Sequence, residues 1–228
     1  MTALFITGTS TDIGKTFVLQ KLLSLDKKQL NCLDAIKPLI SGWPEGEEIA
    51  HTDTAKILQA QGKTIHAENI QAISPWRYYS PVAPDLAQLK ENRPFQMDAL
   101  LHFCEDAILN AQKQNKRLLI EGVGGVMSPI SQQHTVLDWI AAHALPVMMV
   151  TGTYLGSITH LLTALRSCEA SKISVKYIVL NESEDSSVSV QDTKESIARY
   201  TPLPIYILRR DSVLAQRDLR ALYTAVLS

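Results

Sequence analysis

The stretch ALFITGTSTDIGKTFVLQKLLSL, residues 3–25, constrains the fold of this chain more than any other. An apolar, strand-like run (ALFIT) leads through GTSTDIGKT straight into a helix-like segment (VLQKLLSL). A turn from the end of a strand into the start of a helix presents unsatisfied backbone N–H groups at the positive end of the helix dipole. Such a turn is an anion site. Gly8 and Gly14 let the backbone wrap closely around phosphate oxygens, Lys15 can reach the terminal phosphates, and the Thr16 hydroxyl suits Mg²⁺. The commonest phosphate loop has four residues between its glycines and this one has five, so a glycine-rich turn with a solvated lysine is the plain alternative. The order strand, loop, Gly-Lys-Thr, helix favours the phosphate reading.

The other apolar, β-branched runs are CLDAI (32–36), RLLIE (117–121), PVMMVT (146–151), VKYIVL (175–180) and PIYIL (204–208), with helical stretches between them. That alternation predicts an α/β fold: one domain over residues 1–228, with a doubly wound, mostly parallel sheet and helices on both faces. Leu100, Leu101, Cys104, Ile108 and Ala111 recur at helical spacing and mark one buried helix face, and LGSITHLLTALRSCEA reads similarly. Residues 40–85, rich in Pro, Gly and charge, read as a long excursion above the sheet with one helix around DTAKILQAQ. NESEDSSVS (181–189) reads as a polar surface loop, and the C-terminal VLAQRDLRALYTAVL as only weakly amphipathic.

Lys and Arg total 22 against 23 Asp and Glu, so no global field attracts nucleic acid or an anionic membrane. Any anion must be bound locally. Cys32, Cys104 and Cys168 form no C-x-x-C pair, which argues against zinc and disulfides and for a reducing cytoplasm. There is no basic leader segment, and no apolar run approaches the roughly 18 residues of a membrane span.

Chemistry-bearing residues gather at strand ends. Glu121 closes a buried run and precedes glycines, which suits a carboxylate near nucleotide-bound Mg²⁺ or, alternatively, a surface glutamate. Lys37 ends the second strand, expected beside the first, and would point over the phosphate loop unless simply solvated; Ser41 lies just beyond. Asp53 stands where a helix starts, a place that also suits a cap or first-turn acid. Asn181 ends the strand YIVL and offers a donor and an acceptor that match the edge of adenine, or it merely opens a loop. Gly156 and Ser157 open a helix whose N-terminus can receive an anion, and His160 reads as a packed or capping histidine. Neither G-x-S-x-G nor H-E-x-x-H occurs.

FITGTSTDIGKT resembles the extended phosphate loop of the dethiobiotin synthetases, G-T-D-T-x-V-G-K-T. KPLISG, EGVGG and LGSITH resemble the family's K-P-V-x-S-G, E-G-A-G-G and L-G-x-I-N-H, in the family's order, over about residues 3–182. The resemblance implies a P-loop NTPase fold and ATP-dependent conversion of 7,8-diaminononanoate (7,8-diaminopelargonate) and CO₂ to dethiobiotin, a step of biotin synthesis. It implies that Asp12, Ile13, Gly14, Lys15, Thr16, Phe17, Glu121, Gly124 and Asn181 hold ATP, and that Thr16, Asp53 and Glu121 hold Mg²⁺. It further implies that Thr11, Lys37, Ser41, Gly156 and Ser157 hold substrate, with Lys15 and Lys37 in the chemistry. A homodimer would bind the substrate carboxylate across its interface.

Several positions depart from the family pattern. Asp12 replaces a glutamate, Tyr154 and Thr159 replace a lysine and an asparagine, Asp85 replaces a histidine, and PIYILRRDS lacks G-x-I-P. The competing readings are a ParA- or MinD-like ATPase switch, whose loop carries a second lysine missing here, and a homologue that binds nucleotide with lost or altered substrate specificity. A cobyrinic acid diamide synthase-type amidoligase would need a glutaminase domain, for which no room remains after residue 210.

Overall fold

The computed structural model describes residues 2–184, 186, 188–210 and 213–228. Asp185 and Ser187 of the expected polar loop, and Asp211 and Ser212 of PIYILRRDS, lie outside the described residues. All six anticipated runs are strands of one parallel sheet: β1 (Ala3–Gly8), β2 (Leu33–Ile36), β5 (Arg117–Glu121), β6 (Val147–Thr151), β7 (Val175–Asn181) and β8 (Ile205–Leu208), in the order β2-β5-β1-β6-β7-β8. The central strand β1 is buried throughout because it pairs on both sides, Phe5 with Ile120 and with Val147. This explains its continuous apolar run.

Strand order corrects one expectation. β2 is not the neighbour of β1, because β5 lies between them and pairs with both. Pairing between distant segments leaves no local trace in sequence. One consequence is that Glu121 and Lys37 end adjacent strands.

Right-handed crossovers set the helical layers. They put α1 (Lys15–Lys27) on one face, where it touches α2 (Asp53–Gln61) and the C-terminal α9 (Ala215–Leu227). On the other face α5 (Met97–Lys113) packs on α6 (Val136–His143), and α7 (Ser157–Ala170) on α8 (Val190–Ala198). α5 buries Leu100, Cys104 and Ala111, as its periodicity predicts. Trp139 of α6 meets Phe5 edge-on, with ring centroids 4.8 Å apart.

The helix α9 is more strongly two-faced than expected. It buries Leu222, Tyr223 and Val226 against β8 and α1. Asp26 locks it down: the buried carboxylate accepts the Tyr223 hydroxyl (2.7 Å), the Leu33 N–H (2.8 Å) and the Cys32 N–H (3.2 Å), and so ties α1, β2 and α9 together.

The excursion over residues 40–85 is also more ordered than the single helix expected. A second, two-stranded parallel sheet pairs β3 (Leu39–Ser41) with β4 (Trp76–Tyr78). Between them lie a 3₁₀ turn (Gly46–His51), α2 and α3 (Ala67–Ile73), and α4 (Pro84–Glu91) follows with proline in its first turn. Thr52 caps α2 by accepting the Ala55 N–H, and Gly62 ends it in the left-handed conformation at φ 74°.

Candidate functional site

The C-terminal ends of β1, β2 and β5 open into a cleft of about 460 Å³. Thr11, Asp12, Gly14, Lys15, Thr16, Phe17, Lys37, Ser41, Asp53, Glu121 and Gly124 line it, so the structure gathers most of the expected residues in one place. Gln20, Ile40, Lys56 and Val123 complete the walls. Sequence reasoning missed these four because each is an ordinary helix, strand or loop residue until the fold brings it here.

The phosphate loop is shaped by its backbone. Gly14 sits at φ 90° before the first turn of α1, and Asp12 also has positive φ, 54°. A methyl group at Gly14 would lie 2.2 Å from the Asn181 amide nitrogen, so the glycine is needed for space as well as for its dihedral angles. The second glycine segment closes in from β5. A Cβ at Gly125 would stand 3.0 Å from the Thr9 carbonyl oxygen, and the Val126 N–H donates to Gly8 at 2.9 Å.

Four polar groups converge on the floor. The Lys37 Nζ lies 2.6 Å from Glu121 Oε1 and 2.6 Å from Asp53 Oδ2, and donates to Thr16 Oγ1 at 3.3 Å. The Thr16 hydroxyl in turn donates to Glu121 Oε1 at 2.6 Å. Glu121 and Lys37 are buried, while the Asp53 side chain is 38% exposed at the rim. Burial disfavours the Lys37 ammonium, but the charges of Glu121 and Asp53 outweigh it and raise its pKa. For Asp53 burial acts upward, and the Lys37 charge and hydrogen bond outweigh it, so the net shift is down.

Lys15 differs. It donates to the Ser10 carbonyl at 2.8 Å; burial first, then the nearby Lys37 charge, lower its pKa to about 8. Among the described residues no carboxylate lies within ion-pair distance of its ammonium, which leaves it poised for an incoming anion.

Thr16, Glu121 and Asp53 offer one hydroxyl and two carboxylates, the hard oxygen set that Mg²⁺ takes when phosphates and water supply the rest. Glu121 Oε2 is buried without a hydrogen-bond partner, so the carboxylate keeps unused acceptor capacity beside Thr16 and Asp53 and the residues fit such an ion. Among the described residues no group of three or more His, Cys, Asp and Glu forms a metal cluster.

Four anticipated residues lie elsewhere. Asn181 sits behind the loop, where its amide donates to the Ile13 carbonyl at 3.0 Å and its Oδ1 is buried without a partner. Ile13 itself is buried and contributes that carbonyl. Gly156, at φ 93°, and the buried Ser157 start α7 outside the cleft. The expectation for His160 is corrected in part: it is exposed and does not cap α7, but its ring packs on Tyr154 with centroids 5.7 Å apart and its Nδ1 pairs with the Tyr154 hydroxyl at 2.9 Å.

An AAA-domain family model matches residues 2–207. The ATP-dependent dethiobiotin synthetase BioD of Methylobacterium nodulans is 36% identical over 212 residues, which is 92% of this chain and 94% of that protein. This chain belongs to the dethiobiotin synthetase family. The ATP-dependent dethiobiotin synthetase BioD of Caulobacter vibrioides is 40% identical over 187 residues, 82% of each chain. Among solved structures, a ParA family ATPase from Chlorobium tepidum aligns with 99% of this chain and 91% of its own, at 14% identity and a TM-score of 0.52. The MinC:MinD cell division protein complex of Aquifex aeolicus aligns over 96% and 86%, at 11% identity and a TM-score of 0.57. These structures share the fold with the synthetase family; the sequence relatives separate it from the ATPase switches.

Proposed function

We propose that this chain catalyses the ATP-dependent conversion of 7,8-diaminononanoate and CO₂ to dethiobiotin, with release of ADP and phosphate, in biotin synthesis. One amine of the substrate captures CO₂ as a carbamate, and a carbamate oxygen attacks the γ-phosphorus of ATP. The second amine then attacks the carbamoyl carbon, phosphate leaves, and the cyclic urea closes. No protein nucleophile is required. The protein supplies positioning and charge at oxygens that become more negative along the way.

The observation that carries this reading is the Lys37 ammonium at the mouth of the phosphate loop, held 2.6 Å from both Glu121 and Asp53. Lys15 and Lys37 neutralise the transferred phosphoryl group, and Thr11 and Ser41 stand on the cleft wall where the carbamate would lie. Asp12, Gly14, Phe17 and Gly124 shape the nucleotide cradle, with Ile13 buried beneath it, and Asn181, bonded to the Ile13 carbonyl behind the loop, keeps a buried, unpartnered Oδ1 for the base. Thr16, Asp53 and Glu121 would hold Mg²⁺, which supplies charge neutralisation at the phosphates. The chain acts as one domain over residues 1–228, in the cytoplasm, as a homodimer in which the α7 start (Gly156, Ser157) receives the substrate carboxylate from the partner's cleft. Its position outside the cleft supports the cross-interface reading. Among the described residues no helix is long and apolar enough to cross a membrane.

The test is purified protein with diamine, bicarbonate, Mg²⁺ and ATP, followed by ADP release and by mass spectrometry of dethiobiotin. Diamine-dependent product that disappears in Lys37→Ala supports the assignment. ADP release that ignores the diamine would replace it with an ATPase switch.

A further inference from the structure

The Lys37 ammonium stands among the oxygens that a divalent cation would need. Its Nζ is within 2.6 Å of Glu121 Oε1 and Asp53 Oδ2 and 3.3 Å of Thr16 Oγ1. An Mg²⁺ ion ligated by the same oxygens would sit at about 2.0–2.1 Å from each, which puts two cations within about 5 Å of each other in a largely buried pocket. The two compete for the same lone pairs. We propose that Lys37 is the built-in occupant of the cation position, so that a metal ion enters by exchanging with it and the displaced ammonium swings onto the phosphate being transferred.

The exchange explains a design that otherwise conflicts. Two carboxylates facing one another without a cation would repel, and a metal held permanently would leave Lys37 no place near the reacting atoms. With the lysine as surrogate, the nucleotide-free site stays neutralised and does not collect metal. The nucleotide tips the balance by bringing phosphate oxygens that serve both cations, as ligands for the metal and as a new partner for the ammonium. Lys56, the other lysine near Asp53, stands 3.9 Å from Oδ1 and is half exposed, so it contributes charge without occupying the position.

This inference rests on the metal reading above, and the experiment separates the two. Mn²⁺ binding is followed by electron paramagnetic resonance on wild type, Lys37→Met and Lys56→Met, without nucleotide and with a non-hydrolysable ATP analogue. Without nucleotide, wild type is expected to bind Mn²⁺ weakly, Lys37→Met on the order of tenfold or more tightly, and Lys56→Met close to wild type. Equal or weaker binding by Lys37→Met, with all three proteins taking up Mn²⁺ alongside the analogue, would overturn the exchange and leave the metal site standing, served by the free Glu121 Oε2. Equal gains in both lysine variants would also overturn it, since general charge would then explain the effect. Absence of protein-bound Mn²⁺ in every sample would remove the metal reading and the exchange with it. If circular dichroism shows Lys37→Met unfolded, Lys37→Gln, which keeps the donors but not the charge, is measured with the same expected order.

Discussion

Asp26→Ala tests how much one buried carboxylate holds together. Asp26 is 1% exposed and accepts hydrogen bonds from the Tyr223 hydroxyl and the Leu33 N–H at 2.7 and 2.8 Å, with the Cys32 N–H further off at 3.2 Å. Alanine leaves the first two donors buried without partners, at about 1–3 kcal/mol each. Relief from burying a carboxylate offsets part of that loss, which brings the net destabilisation to about 3 kcal/mol. Urea unfolding followed by far-ultraviolet circular dichroism reads this as a midpoint lowered by about 1 M, for a slope of about 3 kcal/mol per molar. Tyr223→Phe alone removes one donor and should cost about 1 kcal/mol, with the double variant falling short of the sum because the two changes share one bond. A loss below about 1 kcal/mol in Asp26→Ala, or strictly additive effects, would refute the idea that this carboxylate fastens α9 to the core. Asp26 lies at the opposite end of α1 from the cleft, so turnover per folded molecule should persist.

Other expectations concern the cleft. Lys15, lowered from 10.5 to about 8, has the unfolded chain binding the extra proton between those values, so its contribution to stability rises as pH climbs through that window. ATP favours the charged form, so binding at pH 8 should take up about half a proton, seen as calorimetric heats that depend on buffer ionisation; buffer-independent heats would contradict the shift. Gly125→Ala pushes a methyl group to 3.0 Å from the Thr9 carbonyl, where backbone cannot yield, and should cost about 1–3 kcal/mol by thermal melting along with weaker nucleotide binding. Asn181→Ala frees the Ile13 carbonyl and should raise the Kd for ATP by roughly tenfold, with kcat at saturation less affected, as equilibrium binding and steady-state kinetics will report. Thr52→Ala removes the α2 cap and should lower stability by about 1 kcal/mol in a thermal melt.

The parallel sheet was readable because each strand is buried on both faces and so spells an unbroken apolar run, as VMMV does in β6. The phosphate loop was readable because its mechanism fixes residue types at close spacing. The small sheet was not. β3 and β4 have three residues each, too few for any period to emerge, and α3, with seven, spans only two turns. The amphipathic face of α9 is present as Leu219, Leu222, Tyr223 and Val226 at helical spacing, but Arg217, Asp218 and Arg220 interrupt its first turns and blunt the pattern. The Asn181 bond to Ile13 and the Lys37 position between two acids depend on pairings across more than a hundred residues or between non-neighbouring segments, which only the assembled sheet creates.

The order of the strands has a bearing on how such a protein can change its chemistry. β2 and β5 lie side by side, so everything between Ile36 and Arg117, including the small sheet and helices α2 to α5, leaves the main sheet and returns to it at adjacent positions. An excursion with neighbouring ends can be lengthened, shortened or exchanged while the phosphate loop and its strand stay in register. Lys37, Ser41 and Asp53 reach the cleft from that segment, so an exchange that keeps these three positions leaves the phosphate loop and its partners in place.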